Sequence, residues 1–382
     1  MDLANLREEI DRIDKGLLEL FQERMDIAAK IAEYKRENNL PVLDTKRERE
    51  KLTSLMEQMP DDFKSYTHVL YSLMFELSRS YQGRLLDKPS ELYEKISSAI
   101  KETTPLFPES AVVACQGTEG AYSQIACEKL FKAPSIMYMN TFDNVFSAIE
   151  SGLCRYGILP LENSSAGSVT QVYDLMQKHN FNIVKSVRLK VDHNLYVGRN
   201  VQDIGKIKEI VSHEQAIMQC SEFIKTLGKD VKVTYCDNTA KAAQMVFESG
   251  REDIAAIASH ACGEVYNLKC LKTAIQNNGN NYTRFICISK ELEIYPGAGK
   301  TSLMMTVSHR PGSLYKVLAR IYSLGINLLK IESRPIPDRD FEFMFYFDIE
   351  TSIYSKEFVQ LICELEGICE QFFYLGSYSE VI

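Results

Sequence analysis

Arg24 falls on a stripe of hydrophobic residues, the kind of position where a charge must have a use. Leu3, Leu6, Ile10, Ile13, Leu17 and Leu20 recur at intervals of 3, 4, 3, 4 and 3, the period of an amphipathic helix. Arg24 takes the next step, four residues after Leu20 and three before Ile27, and Lys35 follows eleven residues later. At about 100° per residue, eleven residues overshoot three turns by about 20°, so both cations face nearly the same side, ~16 Å apart along the axis. Burying unpaired charge is costly, so this face calls for an anion. Arg7 lies about 100° round the helix from Arg24 and would reach that site more easily from a second chain. Beyond a break at NNLP come Asp44, Arg47 and Glu48, then Glu76, Ser78 and Gln82, with Ser78 and Gln82 on one helical face at i, i+4. A second group gathers mid-chain. CQGTEGAYSQIA places glycines in a strand-to-helix turn able to offer N–H groups to an anion. LPLENSSAGSVTQVYDL crowds Asn163, Ser164, Ser165, Gly167, Ser168 and Thr170 into one loop, and NNGNNYTRFICIS sets Asn281, Thr283 and Arg284 before an apolar strand.

These residues need elements to hold them. The seam continues through Ile27, Ile31 and Tyr34, giving a helix of about 35 residues and ~50 Å. A helix that long wants a partner along its length, so dimerisation is expected. Two shorter helices follow at roughly 44–58 and 62–86, and residues 88–110, with prolines and one short helical stretch, read as a linker. From 111 the pattern changes to short apolar strands alternating with helical segments (AVVACQG, AYSQIACEKLF, SIMYM, FDNVFSAIESG, YGILPL), and it recurs over 207–258, with one helix expected from His213 to Leu227. This predicts a two-lobed α/β domain with a largely parallel sheet and a cleft between the lobes. After YPGAGK at 295–300 the order is strand, helix, strand, strand, helix, strand, which is ferredoxin-like.

The chain has 382 residues, which predicts two to three domains. With 44 basic and 52 acidic side chains its net charge is −8, so no whole-chain basic field exists to hold nucleic acid. No run approaches ~18 apolar residues and MDLANLREEI has no signal pattern, so neither membrane nor export is expected. Ten scattered cysteines without a CxxC pair read as reduced packing residues of a cytoplasmic protein. GAGKTS at 297–302 fails as a phosphate-binding loop because Ile294 stands where its first glycine belongs, and HEQAI at 213–217 lacks the second histidine of a zinc helix. Neither a metal nor another cofactor is expected, and NSS at 163 and NYT at 281 are not expected to be glycosylated in that compartment.

Residues 3–84, with LREEIDRID, ERMDIAAKIAEYK, PVLDTKRERE and ELSRSYQ, resemble the helical class of chorismate mutase. The resemblance implies that Arg7 of a partner chain and Arg24 hold the substrate carboxylates, helped by Arg47 and Ser78. It implies that Asp44 and Glu48 address the ring hydroxyl, while Lys35 and Gln82 donate to the ether oxygen whose bond breaks. Residues 111–290, with GTEGAYS, LPLENSSAGSV, SHEQAIMQC, DNTAKAA and NNYTRF, resemble prephenate dehydratase, whose fold is like that of the periplasmic binding proteins. By that resemblance Thr283 acts on the departing hydroxyl and Arg284 holds a carboxylate, with Asn163, Ser164, Ser212, His213, Gln215, Asn281 and Phe285 lining the cleft. Residues 300–382 resemble an ACT regulatory domain, whose phenylalanine-binding motifs correspond to Gly312, Ser313 and Leu314, and to Glu332, Ser333 and Arg334. Serine replaces the usual alanine at 313.

The order of the three segments resembles the bifunctional chorismate mutase–prephenate dehydratases. It implies domains at 1–87, 111–292 and 299–382, and two steps of phenylalanine biosynthesis: chorismate to prephenate, then prephenate to phenylpyruvate, inhibited by phenylalanine. A homodimer or higher homo-oligomer is implied. Two alternatives stay open on the sequence: a dehydratase of prephenate or arogenate whose helical part only dimerises, and a non-enzymatic amino-acid sensor.

Overall fold

In the computed structural model, which describes residues 2–38, 40–85, 90–228, 230–336 and 342–382, the 3–4 periodicity forms a single helix, α1 (Leu3–Glu37). It is followed by α2 (Thr45–Glu57), α3 (Asp61–Leu85) and α4 (Glu91–Glu102). Asp44 caps α2 by accepting from Arg47 N at 2.9 Å, which satisfies one of the free N–H groups of a helix start. The chain divides into two compact units. One comprises Met1–Glu94, Arg310–Gly325 and Lys356–Cys369, and the other Lys95–His309, Ile326–Ser355 and Glu370–Ile382.

Within the first unit, α1 meets α3 through small residues, Ala28 and Ala32, 5% and 1% exposed. They share a stripe with Arg24 and Lys35 at four, four and three residues. The hydrophobic seam behaves otherwise than its spacing suggests. Leu17, Leu20, Ile27, Ile31 and Tyr34 are all exposed in the chain, because two alanines let the helices approach closely while the larger side chains lie to one side.

The second unit begins with β1 (Val112–Gln116), α5 (Tyr122–Leu130), β2 (Ser135–Met139), α6 (Phe142–Glu150), β3 (Tyr156–Asn163), β4 (Gly167–Ser168), α7 (Thr170–His179) and β5 (Asn182–Lys190). The chain then crosses to a second lobe of β6 (Asn194–Val197), β7 (Glu209–Ser212), α8 (Glu214–Gln219), α9 (Ser221–Thr226), β8 (Lys232–Tyr235), α10 (Thr239–Ser249), β9 (Ile254–Ala258), α11 (His260–Val265) and β10 (Lys269–Lys272). It returns with β11 (Tyr282–Ser289) and ends with β12 (Lys300–Thr306), α12 (Ser313–Ser323), β13 (Asn327–Pro335), β14 (Phe343–Glu350), α13 (Lys356–Ile368), β15 (Gln371–Tyr378) and β16 (Glu380–Val381).

The first sheet runs β16-β5-β11-β3-β1-β2 and the second β10-β6-β9-β7-β8, so the α/β segment is two-lobed. The largely parallel sheet expected from the alternation is mixed instead. β1 runs parallel to β2 and β3, but β11 is antiparallel to both β3 and β5. The strands entering and leaving the second lobe must run against each other, and a strand-counting argument does not see that detour. The helix expected from His213 to Leu227 is broken into α8 and α9 at Cys220 (φ −111°). The stretch read as a linker is largely α4, with residues 88 and 89 outside the described residues. A third, antiparallel sheet has the order β13-β14-β12-β15. Its Met304, Met344 and Tyr346 join Leu159, Leu161, Tyr173 and Ile183 of the first lobe in one core.

That contact is tight at Gly376, where an added Cβ would come within 2.2 Å of Ile183 O and φ is +136°. Gly376→Ala should therefore destabilise the protein by about 1–3 kcal/mol or more, the usual scale of overpacking, seen as a lowered unfolding midpoint. An unchanged midpoint would show that the two sheets part easily. Among the described residues no helix is long and apolar enough to cross a membrane, and no group of three His, Cys, Asp or Glu is placed to hold a metal.

Candidate active sites

On the helical unit, Arg24 is half-buried and reaches α3. It donates to Ser78 Oγ and to Met74 O (3.3 Å), with its guanidinium 5.7 Å from the Phe75 ring centroid. Burial lowers its pKa, opposed by the charges of Tyr71 and Glu48, so Arg24, Ser78 and Glu48 share one electrostatic site. Lys35 Nζ donates to Val42 O at 2.6 Å, tying α1 to the loop before α2. Gln82 is buried and its Oε1 has no partner among the described residues, a costly arrangement for an amide unless something else binds there. Glu48 is held by Arg79, a residue the sequence reading passed over. Arg7, Asp44 and Arg47 are exposed, and Glu76 points to another part of the unit, described below.

On the α/β unit, strand register does most of the work. Thr283 of β11 stands opposite Asn163 of β3. Asn163 Nδ2 donates to Thr283 Oγ1 at 2.8 Å, to Asn281 Oδ1 at 2.7 Å and to Tyr282 O at 3.2 Å, while Asn163 Oδ1 accepts from the N–H groups of Ser165 (3.0 Å) and Ala166 (2.9 Å). Those two backbone donors fix which end of the amide is oxygen, so the Thr283 hydroxyl accepts from Asn163 and keeps its own proton to give elsewhere. The chain continues. Asn281 Nδ2 donates to Gln219 Oε1 at 2.9 Å, which also accepts from His193 Nε2 at 2.8 Å. His193 is therefore the Nε2–H tautomer with a bare, buried Nδ1. Burial lowers its pKa, opposed by Gln219 and Asp192. Neither His193 nor Gln219 was singled out in the sequence, where no spacing marks them. They join the segments that cross between the lobes. Ser164 fixes the same corner by donating to Asn280 O (3.1 Å) and accepting from Tyr282 N (2.9 Å).

Several expected cleft residues are used otherwise. Arg284, one residue on, faces the opposite side of the strand. There its Nη2 pairs with Asp348 at 2.5 Å and its Nε with Glu162 at 2.8 Å. Burial pushes its pKa down, but Asp348, Tyr378 and Glu162 push harder the other way. Two carboxylates already occupy it, so it is not the free carboxylate clamp expected. Ser212 is fully buried and donates to Ile257 O at 2.7 Å, and Phe285 belongs to the core beside Cys115 and Ile158. His213 caps α8, its Nδ1 accepting from Gln215 N at 3.2 Å. In the GTEGAYS turn, Gly117 N donates to Met139 O, Gly120 N to Gln124 Oε1 and Ala121 N to Thr118 O, which removes those three from any anion nest.

The face carrying Arg284 meets the third sheet. Lys330 pairs with Glu162 and donates to Ser168 Oγ at 2.9 Å, Ser168 Oγ donates to Glu332 at 2.6 Å, and Arg334 forks onto Asp174 at 3.1 and 3.0 Å. Even-numbered residues of β13 thus grip the first lobe, and Ser333 lies on its exposed face. A small cavity beside this contact is lined by Leu161, Tyr173, Met176, Lys330, Tyr346 and Asp348, the last of these the partner of Arg284. Gly312 caps α12 with φ +85°, a conformation glycine adopts without strain. Ser313 and Leu314 follow in the first turn, both part-buried.

Residues 113–293 match the prephenate dehydratase family and residues 6–83 the chorismate mutase type II family. The bifunctional chorismate mutase/prephenate dehydratase of Enterobacter agglomerans is 30% identical over 384 residues, 98% of this chain and 95% of that protein. Two solved structures each cover 70% of this chain. A protein described as a novel type of quorum-quenching acylase aligns at TM-score 0.64 and 29% identity over 97% of its chain. The prephenate dehydratase of Arthrobacter aurescens, in complex with L-Phe, aligns at TM-score 0.64 and 24% identity over 89% of its chain. One fold carries differently described activities, so side chains, not the fold, must choose the reaction.

Proposed function

The chain belongs to the bifunctional chorismate mutase/prephenate dehydratase family, and from that premise we propose which of its groups carry each reaction. It rearranges chorismate to prephenate and converts prephenate to phenylpyruvate, water and carbon dioxide. The first step needs no nucleophile and no proton transfer, only a substrate held in its reactive shape and charge stabilised on the breaking ether oxygen. Arg24, with Ser78, takes a carboxylate; Lys35 and the Nε2 donor of Gln82 face the ether oxygen, leaving the unpartnered Gln82 Oε1 to accept from another group; Glu48 and Asp44 address the ring hydroxyl. Arg7 and Arg47 complete the site, Arg7 from a second copy docked on the exposed seam of α1.

In the second step Thr283 gives its hydroxyl proton, or a hydrogen bond, to the departing hydroxyl while carbon dioxide leaves. Aromatisation drives the reaction, so a weak but well-placed acid suffices. The observation that carries this reading is the Asn163–Thr283 hydrogen bond, which leaves the threonine proton uncommitted. Residues 299–382 form a ferredoxin-like ACT module that binds phenylalanine and inhibits the enzyme. Gly312, Ser313 and Leu314 carry one phenylalanine-binding motif and Glu332, Ser333 and Arg334 the other, with Ser333 on the exposed face of its strand and Glu332 and Arg334 anchoring it. Residues 1–87 and 111–292 are the two catalytic domains, and the cytoplasm is their compartment.

An absorbance assay of the purified chain, given chorismate and followed to phenylpyruvate with and without phenylalanine, tests the whole reading. Phenylpyruvate should accumulate with this chain as the sole enzyme, and phenylalanine should suppress it. Turnover of arogenate in preference to prephenate, with chorismate untouched, would mean that the helices only dimerise.

A further inference from the structure

Helix α3 has two polar faces. Ser78 and Gln82 look toward α1, while Glu76 and Ser80, roughly half a turn away, look toward α12 and α13. Ser80 donates to Glu364 and accepts from Gln360 Nε2 at 3.1 Å. Arg320 of α12 is 3% exposed and donates through Nη2 to Glu76 O at 2.7 Å and Glu76 Oε2 at 3.0 Å, with its Nε 3.2 Å from Glu364 Oε2. The other oxygen of Glu76 pairs with Arg79, and Arg79 pairs in turn with Glu48. Lys316 stands 3.9 Å from Glu76. Three cations thus balance three carboxylates, and the side chains open steadily toward the mutase site: Arg320 4%, Glu76 9%, Arg79 16% and Glu48 30% exposed.

We propose that Arg320 is a positioning residue for the mutase, acting through Glu76 and Arg79 to set the place of Glu48. The inference rests on the mutase reading given above. Glu76 divides its two oxygens between Arg320 and Arg79. Without Arg320, the Glu76 charge falls mainly on Arg79, Lys316 being farther off at 3.9 Å, and Arg79 is drawn back from Glu48. A binding group displaced in this way costs rate even when no contact with substrate is removed. The consequence concerns regulation. Arg320 is on the helix that begins at Gly312, so a shift of α12 is transmitted to the rearrangement site by ion pairs that are too buried to exchange cheaply with water.

Arg320→Met tests this in the full chain. Mutase kcat/KM should fall roughly ten- to hundredfold, and the same substitution in a Glu48→Gln background should add almost nothing, because the route ends at Glu48. Dehydratase turnover should stay at the parental level, and Arg320→Lys, which keeps the charge but not the fork, should restore part of the loss. Equal losses with and without Glu48, or mutase activity within twofold of the parent in a folded variant, would overturn the proposal. If Arg320→Met does not fold, Glu76→Gln carries the same comparison: dependence on Glu48 supports the route and additivity refutes it. A parent chain without mutase activity would instead refute the mutase reading itself.

Discussion

Thr283→Ala should lower dehydratase kcat/KM by about 10²–10⁴-fold, the usual contribution of a positioned acid, and leave the mutase rate at the parental level. The hydroxyl is placed by register and by one amide. Asn163 donates to it at 2.8 Å, and two backbone N–H groups hold Asn163 in that orientation. Thr283→Ser keeps the donor and should recover most of the rate, whereas Thr283→Val keeps the shape and should not. Removing Asn163 frees the hydroxyl to rotate, so Asn163→Ala should cost less than loss of Thr283 itself and act mainly on kcat. The measurement is phenylpyruvate formation from prephenate. Thr283→Val retaining a tenth or more of parental turnover would assign the proton to a different group.

Lys35→Ala should reduce mutase kcat by about 10²–10³-fold, by analogy with the loss of one oxyanion donor, with prephenate turnover unchanged. An ammonium has three donors. One is used on Val42 O, and that bond fixes where the remaining two can point. If Arg24 holds a substrate carboxylate in both ground and transition states, as proposed, Arg24→Ala should raise KM more than it lowers kcat. The contrast between the two variants separates binding from transition-state stabilisation in one assay. If both changed KM alone, the lysine would be a second carboxylate clamp.

Much of this was readable without coordinates, and for a common reason. The spacing 3, 4, 3, 4, 3 is a local property, and it delivered α1 nearly residue for residue. Alternating strands and helices likewise placed the lobes, and Thr283 was marked by its motif. What the spacing did not reveal is which surface each residue meets. Ala28 and Ala32, not the leucines, turned out to be the buried positions of α1. Neighbouring Thr283 and Arg284 parted to opposite faces of β11, and the arginine went to Asp348 and Glu162. His193 and Gln219 joined the hydrogen-bond chain that leads to Asn281 and β11 although no periodicity distinguishes them.

Sequence by itself therefore determined the elements, their order and the types of group available for two reactions on a small carboxylated ring. Tertiary structure alone decided which charges are already neutralised and which polar atoms remain free to act, as Arg320 and Gln82 show. Helical and strand periods are set by neighbours along the chain. The partner of a buried charge is set by distance through space, and residues 244 positions apart, such as Glu76 and Arg320, leave no local trace of their pairing.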